Sequence, residues 1–206
     1  LGYTYFLERK FKVSPEVLIP RPETEELVHT IIRIYKHQSP RILDIGTGSG
    51  CIGISLALEL KVNSFTGVDK SAFALKVAEE NARRFGVTMN SIHLDILKDR
   101  IRYAGFNIIA SNPPYVRPSE RKLMKKNVLD YEPSEALFVP EEDPLIFYKK
   151  IVDNSEEILK PDGMLFFEVN EMYGEGVKKL MLDSNYKNVT LNRDIHGKDR
   201  FVYGIK

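Results

Sequence analysis

The sequence predicts an α/β fold in which helices cover a parallel sheet and the chain ends in an antiparallel hairpin. Short apolar runs, typical of strands buried on both faces, alternate along the chain with segments of helical periodicity. Alternation at this spacing implies βαβ units with right-handed crossovers. The last two strand-like runs, 187–194 and 199–206, are separated by only four residues, so they are expected to pair as a hairpin at the sheet edge.

The individual elements follow from periodicity and from helix end signals. Helices are expected at 23–37, 51–60, 71–86 and 144–163, and strands at 41–46, 64–69, 91–95, 106–112 and 163–169. The first helix carries acids in its first turn, where the helix dipole favours negative charge. Gly86 is expected to cap the third helix, and Pro161 with Gly163 to end the fourth.

Composition and charge indicate an ordinary globular protein. A chain of 206 residues with 43% hydrophobic content can bury one substantial core. Lys and Arg total 30 against 29 Asp and Glu, so the net field gives no reason to expect stable nucleic-acid or membrane binding. The single Cys51 excludes an intrachain disulfide, and the four histidines lack ligand spacing, so no metal site is expected.

The sequence shows no membrane-spanning or signal segment. No apolar run approaches the roughly 18 residues that a membrane span needs, and the first ten residues lack a signal peptide's hydrophobic region. A cytoplasmic location is therefore expected, or an organellar matrix if the source is eukaryotic. The sequence does not begin with Met, so it is expected to be a fragment or a processed product.

The first chemical motif is a glycine-rich loop, "LDIGTGSGCIG", at 43–53. It follows a predicted strand and opens a helix, and its glycines allow a sharp turn and a close approach of the backbone to a ligand. The residues expected to contact a cofactor are Gly46, Thr47, Gly48, Ser49 and Gly50. "GSGCIG" also matches the dinucleotide fingerprint, so a dinucleotide oxidoreductase is a rival interpretation. The acid Asp44 followed by G-T-G-S-G resembles the first motif of S-adenosylmethionine-dependent methyltransferases.

Two further acids follow predicted strands and suit an adenosine. Asp69 ends the second strand, where a carboxylate can accept both ribose hydroxyls. Its alternative role is the N-cap of the next helix. Asp95 is expected to end the third strand and to accept from the adenine amino group, with Ile96 covering the ring; a simple strand-end cap is the alternative.

The second chemical motif, "NPPY" at 112–115, follows the fourth predicted strand. An amide or aromatic-amine nitrogen attacks poorly because its lone pair is delocalised. Asn112 Oδ1 and the Pro113 carbonyl could each accept one N–H of an –NH₂ group and so aim its lone pair at a methyl donor. Pro114 adds rigidity and Tyr115 can pack on the flat substrate group. We therefore expect all four residues of the motif to bind the substrate, and Asn112, Pro113 and Tyr115 to be catalytic. Asn112 is also expected to contact the cofactor.

These motifs, together with "VLIPRPETEELV" at 17–28, resemble the HemK/PrmC family of protein-(glutamine-N5) methyltransferases that act on peptide-chain release factors. The resemblance implies a seven-stranded class I (Rossmann-like) methyltransferase that uses S-adenosyl-L-methionine and releases S-adenosyl-L-homocysteine. The implied protein substrate is a class I release factor, methylated on the glutamine of its Gly-Gly-Gln motif. Residues 21–206 are then the catalytic domain, and 1–20 a lead-in that could be the remnant of a truncated N-terminal domain.

The resemblance also assigns residues that the sequence alone marks only as a helix start. It places Pro22 and Glu23 beside the substrate and Thr24 beside the cofactor. Glu132, in "YEPSEAL", is expected to anchor the long connection 115–143 over the site. The basic run 121–126 within that connection is expected to be a solvated helix face.

Two alternative functions stay open at this point. The same acceptor pair could serve the exocyclic amine of adenine in DNA (N6) or guanine in RNA (N2). A protein of another class, a non-catalytic nucleotide-binding module of the translation machinery, would need the glycine loop but not Asn112.

Overall fold

The computed structural model describes residues 2–124 and 132–206. The strands among these residues are β1 (Tyr3–Phe6), β2 (Arg9–Lys12), β3 (Ile42–Ile45), β4 (Ser64–Asp69), β5 (Thr88–His93), β6 (Phe106–Ser111), β7 (Leu159–Glu168), β8 (Lys187–Arg193) and β9 (Asp199–Ile205). The α-helices there are α1 (Pro22–Tyr35), α2 (Cys51–Glu59), α3 (Ala72–Arg84), α4 (Ile146–Ile158) and α5 (Gly174–Asp183). Short 3₁₀ helices lie at Pro118–Leu123 and Ser134–Ala136.

The described residues form a seven-stranded sheet in the order β5-β4-β3-β6-β7-β9-β8. The first five of these strands are parallel, and β9 runs antiparallel between β7 and β8. The predicted fold class and its C-terminal hairpin are therefore confirmed. After β3 the chain moves outward through β4 and β5, then returns to the other side of β3 with β6. The carboxyl ends of β3 and β6 thus form the switch point where open α/β sheets bind ligands.

The sheet separates two hydrophobic cores because successive strand residues face opposite sides. Helices α1 and α2 pack with Ile42, Ile108 and Phe166 on one face, and α4 packs with Leu43 and Ile109 on the other. In the part of the chain that the structure describes, no helix combines the length and the hydrophobicity needed to cross a bilayer.

Some element predictions were wrong at their boundaries. The fourth helix was expected to reach 163, but α4 ends at Ile158 and β7 begins at Leu159, which pairs with Phe106. Pro161 cannot continue a helix, so the chain becomes extended earlier than its apolar spacing indicated. The third predicted strand, 91–95, lies at Thr88–His93, because its pairing with β4 begins at Thr88.

Two elements were not predicted. The β1–β2 hairpin turns through Leu7 and Glu8, both at positive φ (46° and 60°), without the Gly or Asn that usually marks such a turn. Its buried Phe6 and Phe11 belong to the same core as α1. Helix α5 contains Gly174 and Gly176, which weaken its sequence signal.

The glycine loop is held between β3 and α2 by one buried carboxylate. Asp44 Oδ2 accepts from the Thr47 hydroxyl at 2.8 Å and from the backbone N–H of Gly53 at 3.0 Å. The loop glycines Gly46, Gly48 and Gly50 all have positive φ (72°, 55° and 80°). Residues other than glycine rarely adopt this backbone conformation, so the glycines permit the turn. The hydrogen bonds of Asp44 hold the end of the turn against the start of α2.

We expect opposite effects from the same substitution at two helical glycines. A Cβ at Gly53 in α2 would lie 2.3 Å from the buried ring of Phe65, whereas a Cβ at exposed Gly176 in α5 would be 3.4 Å from Leu145. Gly53→Ala should therefore lower the free energy of unfolding by roughly 1–3 kcal/mol through overpacking. Gly176→Ala should raise it by up to about 1 kcal/mol through helix propensity.

The free energies of unfolding of both glycine variants can be measured by urea unfolding, with circular dichroism as the signal. Equal effects of the two substitutions, or a stabilised Gly53→Ala protein, would contradict the packing of α2 against Phe65.

The buried Asp44 carboxyl should make stability depend on pH in a defined direction. Burial raises its pKa from 3.8 to about 6, although the bonds from Thr47 and Gly53 offset part of this rise. The stability that Asp44 contributes is therefore present below pH 3.8 and is lost as the pH rises through about 6. Asp44→Asn, which cannot ionise, should gain on the order of 3 kcal/mol relative to the wild type between pH 4 and pH 7.

Denaturant unfolding of the wild type and Asp44→Asn at both pH values tests this dependence. The informative quantity is the change with pH in the difference between the two free energies of unfolding. The constant effect of the amide and the titration of other groups cancel in this quantity. A difference that stays constant from pH 4 to pH 7 would show that Asp44 ionises in the folded protein as it does in water.

Candidate active site

A cavity of about 380 Å³ lies at the carboxyl edge of the sheet, beyond the ends of β3, β4 and β6. This volume falls within the range of pockets for small organic ligands. Its wall combines the glycine loop, the start of α3, the NPPY segment and the face of α4. The lining residues that the sequence predicted for the cofactor are Gly46, Gly48, Asp69, Asp95, Ile96 and Asn112.

Four other residues predicted for the cofactor lie behind the cavity wall. Thr47 turns its hydroxyl inward to Asp44, and Ser49 is buried at 2% exposure. Gly50 packs against α3, where an added Cβ would be 3.2 Å from Ala78. Thr24 is buried at the start of α1. These four residues shape the cavity through the backbone and through neighbouring side chains.

Asp69 joins the glycine loop to the start of α3. Its Oδ2 accepts from the Gly48 N–H and its Oδ1 from the Ser71 N–H, both at 2.9 Å. The N-cap of α3 is Ser71, whose hydroxyl accepts from Ala74 N–H, so Asp69 is not the cap. Burial raises the pKa of Asp69, although these backbone bonds offset part of the rise.

Asp95 lies in the turn after β5 and does not end the strand as predicted. Its Oδ1 accepts from the Leu97 N–H at 3.0 Å and its Oδ2 pairs with Lys98 at 3.0 Å. The carboxylate therefore stabilises the turn that holds Ile96 against the cavity, while Asp95 itself also lines the wall.

A second cavity, of about 480 Å³, meets the first at the NPPY segment. All six residues that the sequence predicted for the substrate line this second cavity: Pro22, Glu23, Asn112, Pro113, Pro114 and Tyr115. Asn112, Pro113 and Pro114 line both cavities, so they form the wall between the two spaces. Two ligands, one in each cavity, would meet at Asn112.

The Asn112 side chain is connected to a buried carboxylate that the sequence analysis missed. Asn112 Nδ2 lies 3.3 Å from Thr24 Oγ1, and that hydroxyl donates to Glu168 Oε2 at 2.6 Å. Within residues 2–124 and 132–206, no group donates to Asn112 Oδ1. A sequence signal for Glu168 did exist, since it is an acid at the end of an apolar strand beside the NPPY strand.

Glu168 lies in an environment that disfavours its charge but supplies donors to both oxygens. Its exposure is 1%, and burial raises its pKa, while the Thr24 bond, the charge of Arg200 and the Tyr115 hydroxyl act in the opposite direction. Tyr115 donates to Oε1 at 3.3 Å. Burial and the Glu168 charge also raise the pKa of Tyr115, so its hydroxyl keeps its proton.

The described residues of the connection after β6 line both cavities, and two ion pairs hold residues 132–135. Arg21 Nη2 donates to both carboxylate oxygens of Glu132, at 2.6 and 2.7 Å, so Glu132 anchors the connection as expected. Lys70 pairs with Glu135 at 2.8 Å on the side of the first cavity. The exposed end of the basic run lies at Arg121 and Lys122, while positions 125 and 126 lie outside the described residues.

Other features of the site were either unpredicted or carry no chemistry. Residues 15–18, within the predicted lead-in, line the first cavity, although none of them was predicted as a site residue. Burial raises the pKa of Cys51 to about 12, so this thiol is a packing group. Among the residues that the structure describes, no group of three or more His, Cys, Asp or Glu side chains could hold a metal ion.

Comparison with known proteins identifies the family. The family described as "Methyltransferase small domain" matches residues 24–130. A release factor glutamine methyltransferase of Flavobacterium psychrophilum is 46% identical over 206 residues, covering 98% of this chain and 72% of that protein. The Bacteroides thetaiotaomicron protein of the same name is 44% identical over 202 residues, with the same coverage.

A solved structure agrees with these relatives. It is the protein-(glutamine-N5) methyltransferase, release factor-specific, of Alicyclobacillus acidocaldarius. Its TM-score is 0.57 at 28% identity, and the match covers 95% of this chain and 99% of that one. The chain described here belongs to the release factor glutamine methyltransferase family.

Proposed function

We propose that this protein transfers a methyl group from S-adenosyl-L-methionine to the side-chain amide nitrogen of a glutamine in a peptide-chain release factor. The relatives named above support both the reaction and the class of protein substrate. The observation that carries the proposal is the shared wall of the two cavities, where the Asn112–Pro114 segment lies between a space of about 380 Å³ and a second of about 480 Å³.

The first cavity fits the cofactor in its shape and in its polar groups. A Cβ built at Gly46 would meet no atom within 4 Å, so this backbone borders open space that a ligand can fill. The Asp69 carboxylate lies on the same wall and suits ribose hydroxyls. Ile96, Phe147 and Ile151 give the cavity apolar surface for a flat ring. We propose Gly46, Gly48, Asp69, Asp95 and Ile96 as the contacting set.

The reaction needs an electrophile and a correctly held nitrogen. S-adenosyl-L-methionine supplies a methyl group on a positively charged sulfur, which becomes the neutral thioether of S-adenosyl-L-homocysteine. Asn112 Oδ1 and the Pro113 carbonyl each accept one N–H of the glutamine amide, which turns the nitrogen lone pair toward the first cavity. Because the nitrogen becomes positive as its new bond forms, both acceptors bind more strongly in the transition state. The surplus proton then leaves to water.

The neighbours of Asn112 restrict how the amide can lie. Pro113 is buried, its ring fixes its φ, and the following Pro114 restricts its ψ, so the carbonyl between them stays in place. Tyr115 is fixed through its hydroxyl to Glu168, which leaves its ring to pack on the planar amide. This positioning raises the rate because the reacting groups are held before the reaction begins.

Replacing Asn112 should strongly slow methyl transfer and leave cofactor binding nearly intact. Asn112→Ala removes one of the two acceptors, so we expect the rate to fall by at least about 100-fold. The measurement is mass spectrometry of a full-length release factor incubated with the protein and S-adenosyl-L-methionine, with fragmentation to locate the methyl group. Calorimetry with S-adenosyl-L-homocysteine measures cofactor binding in parallel.

Two controls make this experiment specific. Asn90→Ala changes an exposed asparagine on β5 and should methylate at the wild-type rate. A release factor whose Gly-Gly-Gln glutamine is changed to glutamate has no –NH₂ group and should gain no methyl. A methyl group on another residue, or methylation of DNA or ribosomal RNA in place of the release factor, would overturn the proposal.

A further inference from the structure

We propose that Thr24 and Glu168 are positioning residues that fix which way the Asn112 amide faces. The inference deepens the proposed function and rests on it, because it assumes that Asn112 Oδ1 holds the substrate nitrogen. An asparagine amide has an oxygen at one end and an –NH₂ group at the other, and the two ends have almost the same shape. Only the oxygen end can accept a hydrogen bond from the substrate amide. If the Asn112 amide were reversed, its N–H donors would face the N–H donors of the substrate.

The Thr24 hydroxyl has one proton, and its position decides this orientation. The distance of 2.6 Å between Thr24 Oγ1 and Glu168 Oε2 is typical of a hydroxyl that donates to an ionised carboxylate. With its proton directed at Glu168, Thr24 can only accept from Asn112, at 3.3 Å. Asn112 must then turn Nδ2 toward Thr24 and leave Oδ1 facing the substrate side.

Both positioning residues are buried and come from elements that the fold fixes independently. Thr24 is 2% exposed and Glu168 is 1% exposed. The β6–β7 ladder ends at the pair Ser111 and Phe167, so the next residues, Asn112 and Glu168, follow it side by side, with Glu168 still paired to β9. Helix α1 packs on this edge and supplies Thr24 between them. A buried carboxylate with no substrate contact is costly, so its place here needs a function beyond packing.

We call the hydrogen bonds from Asn112 through Thr24 to Glu168 the relay. The chain offers a matched set of variants to test it. Thr24→Val keeps the shape and removes the hydroxyl, Thr24→Ser keeps the hydroxyl, and Glu168→Gln removes the charge. Tyr148→Phe is the control, because its hydroxyl donates to the Glu168 backbone carbonyl at 3.1 Å and not to the carboxylate. If the hydrogen bonds around Glu168 had only a structural role, Tyr148→Phe should lower the methylation rate as much as Thr24→Val does.

The readout is the single-turnover rate of release-factor methylation at saturating cofactor and substrate. We expect Thr24→Val to be slowed roughly 10- to 100-fold, since the misplaced amide no longer holds the nitrogen. Thr24→Ser should restore most of this loss, Tyr148→Phe should stay within about two-fold of wild type, and S-adenosyl-L-homocysteine affinity should hardly change. In ¹H–¹⁵N spectra the Asn112 side-chain amide signal should move in Thr24→Val and return in Thr24→Ser.

A double-variant cycle separates one relay from two independent effects. If Thr24 and Glu168 act through the same amide, Thr24→Val combined with Glu168→Gln should be no slower than the slower single variant. The relay would be overturned if the rate losses of the two single variants multiply in the double variant. It would also be overturned if Thr24→Val reacts at close to the wild-type rate, or if Thr24→Ser is as slow as Thr24→Val. The proposed function fails separately, namely if the wild type itself leaves the release factor unmethylated.

Discussion

The parallel pairing of β6 with β3 on one side and β7 on the other is the constraint on which the site depends. Because parallel strands end at the same edge, this pairing places the glycine loop, the NPPY segment and Glu168 side by side although they lie far apart in sequence. The strand order reverses after β5, because β6 is added on the other side of β3, and this switch point opens the space above them. The fold therefore determines where two ligands meet before any side chain contacts either one.

Two buried carboxylates at this edge, Asp44 and Glu168, are stabilised by the hydrogen bonds that they accept. Asp44 and Glu168 both have pKa values raised by burial, and each accepts hydrogen bonds from one loop residue and one residue in the first turn of a helix. Asp44 fixes the glycine loop, while Glu168 fixes Thr24 and Tyr115 on either side of Asn112. The hydrogen bonds of the two carboxylates thus hold the backbone and side-chain groups around the cavities in fixed positions in the folded domain.

Sequence periodicity and end signals predicted the sheet, its C-terminal hairpin and most helices because these follow from local patterns. The β1–β2 hairpin escaped prediction since Leu7 and Glu8 adopt a turn that their residue types disfavour. Motifs placed Gly46, Asp69 and Asn112 at the site, but not the connection from Asn112 through Thr24 to Glu168. That connection joins residues 88 and 144 positions apart, so no local pattern could show it.

Crystallography of a ternary complex can show whether Asn112 and Pro113 present acceptors to an amide nitrogen. The complex would contain the wild-type protein, S-adenosyl-L-homocysteine and a peptide with the Gly-Gly-Gln sequence. The glutamine nitrogen should lie about 3 Å from both Asn112 Oδ1 and the Pro113 carbonyl oxygen, on the side facing the cofactor sulfur. A glutamine side chain held elsewhere, or one whose carbonyl oxygen faces Asn112, would contradict this prediction.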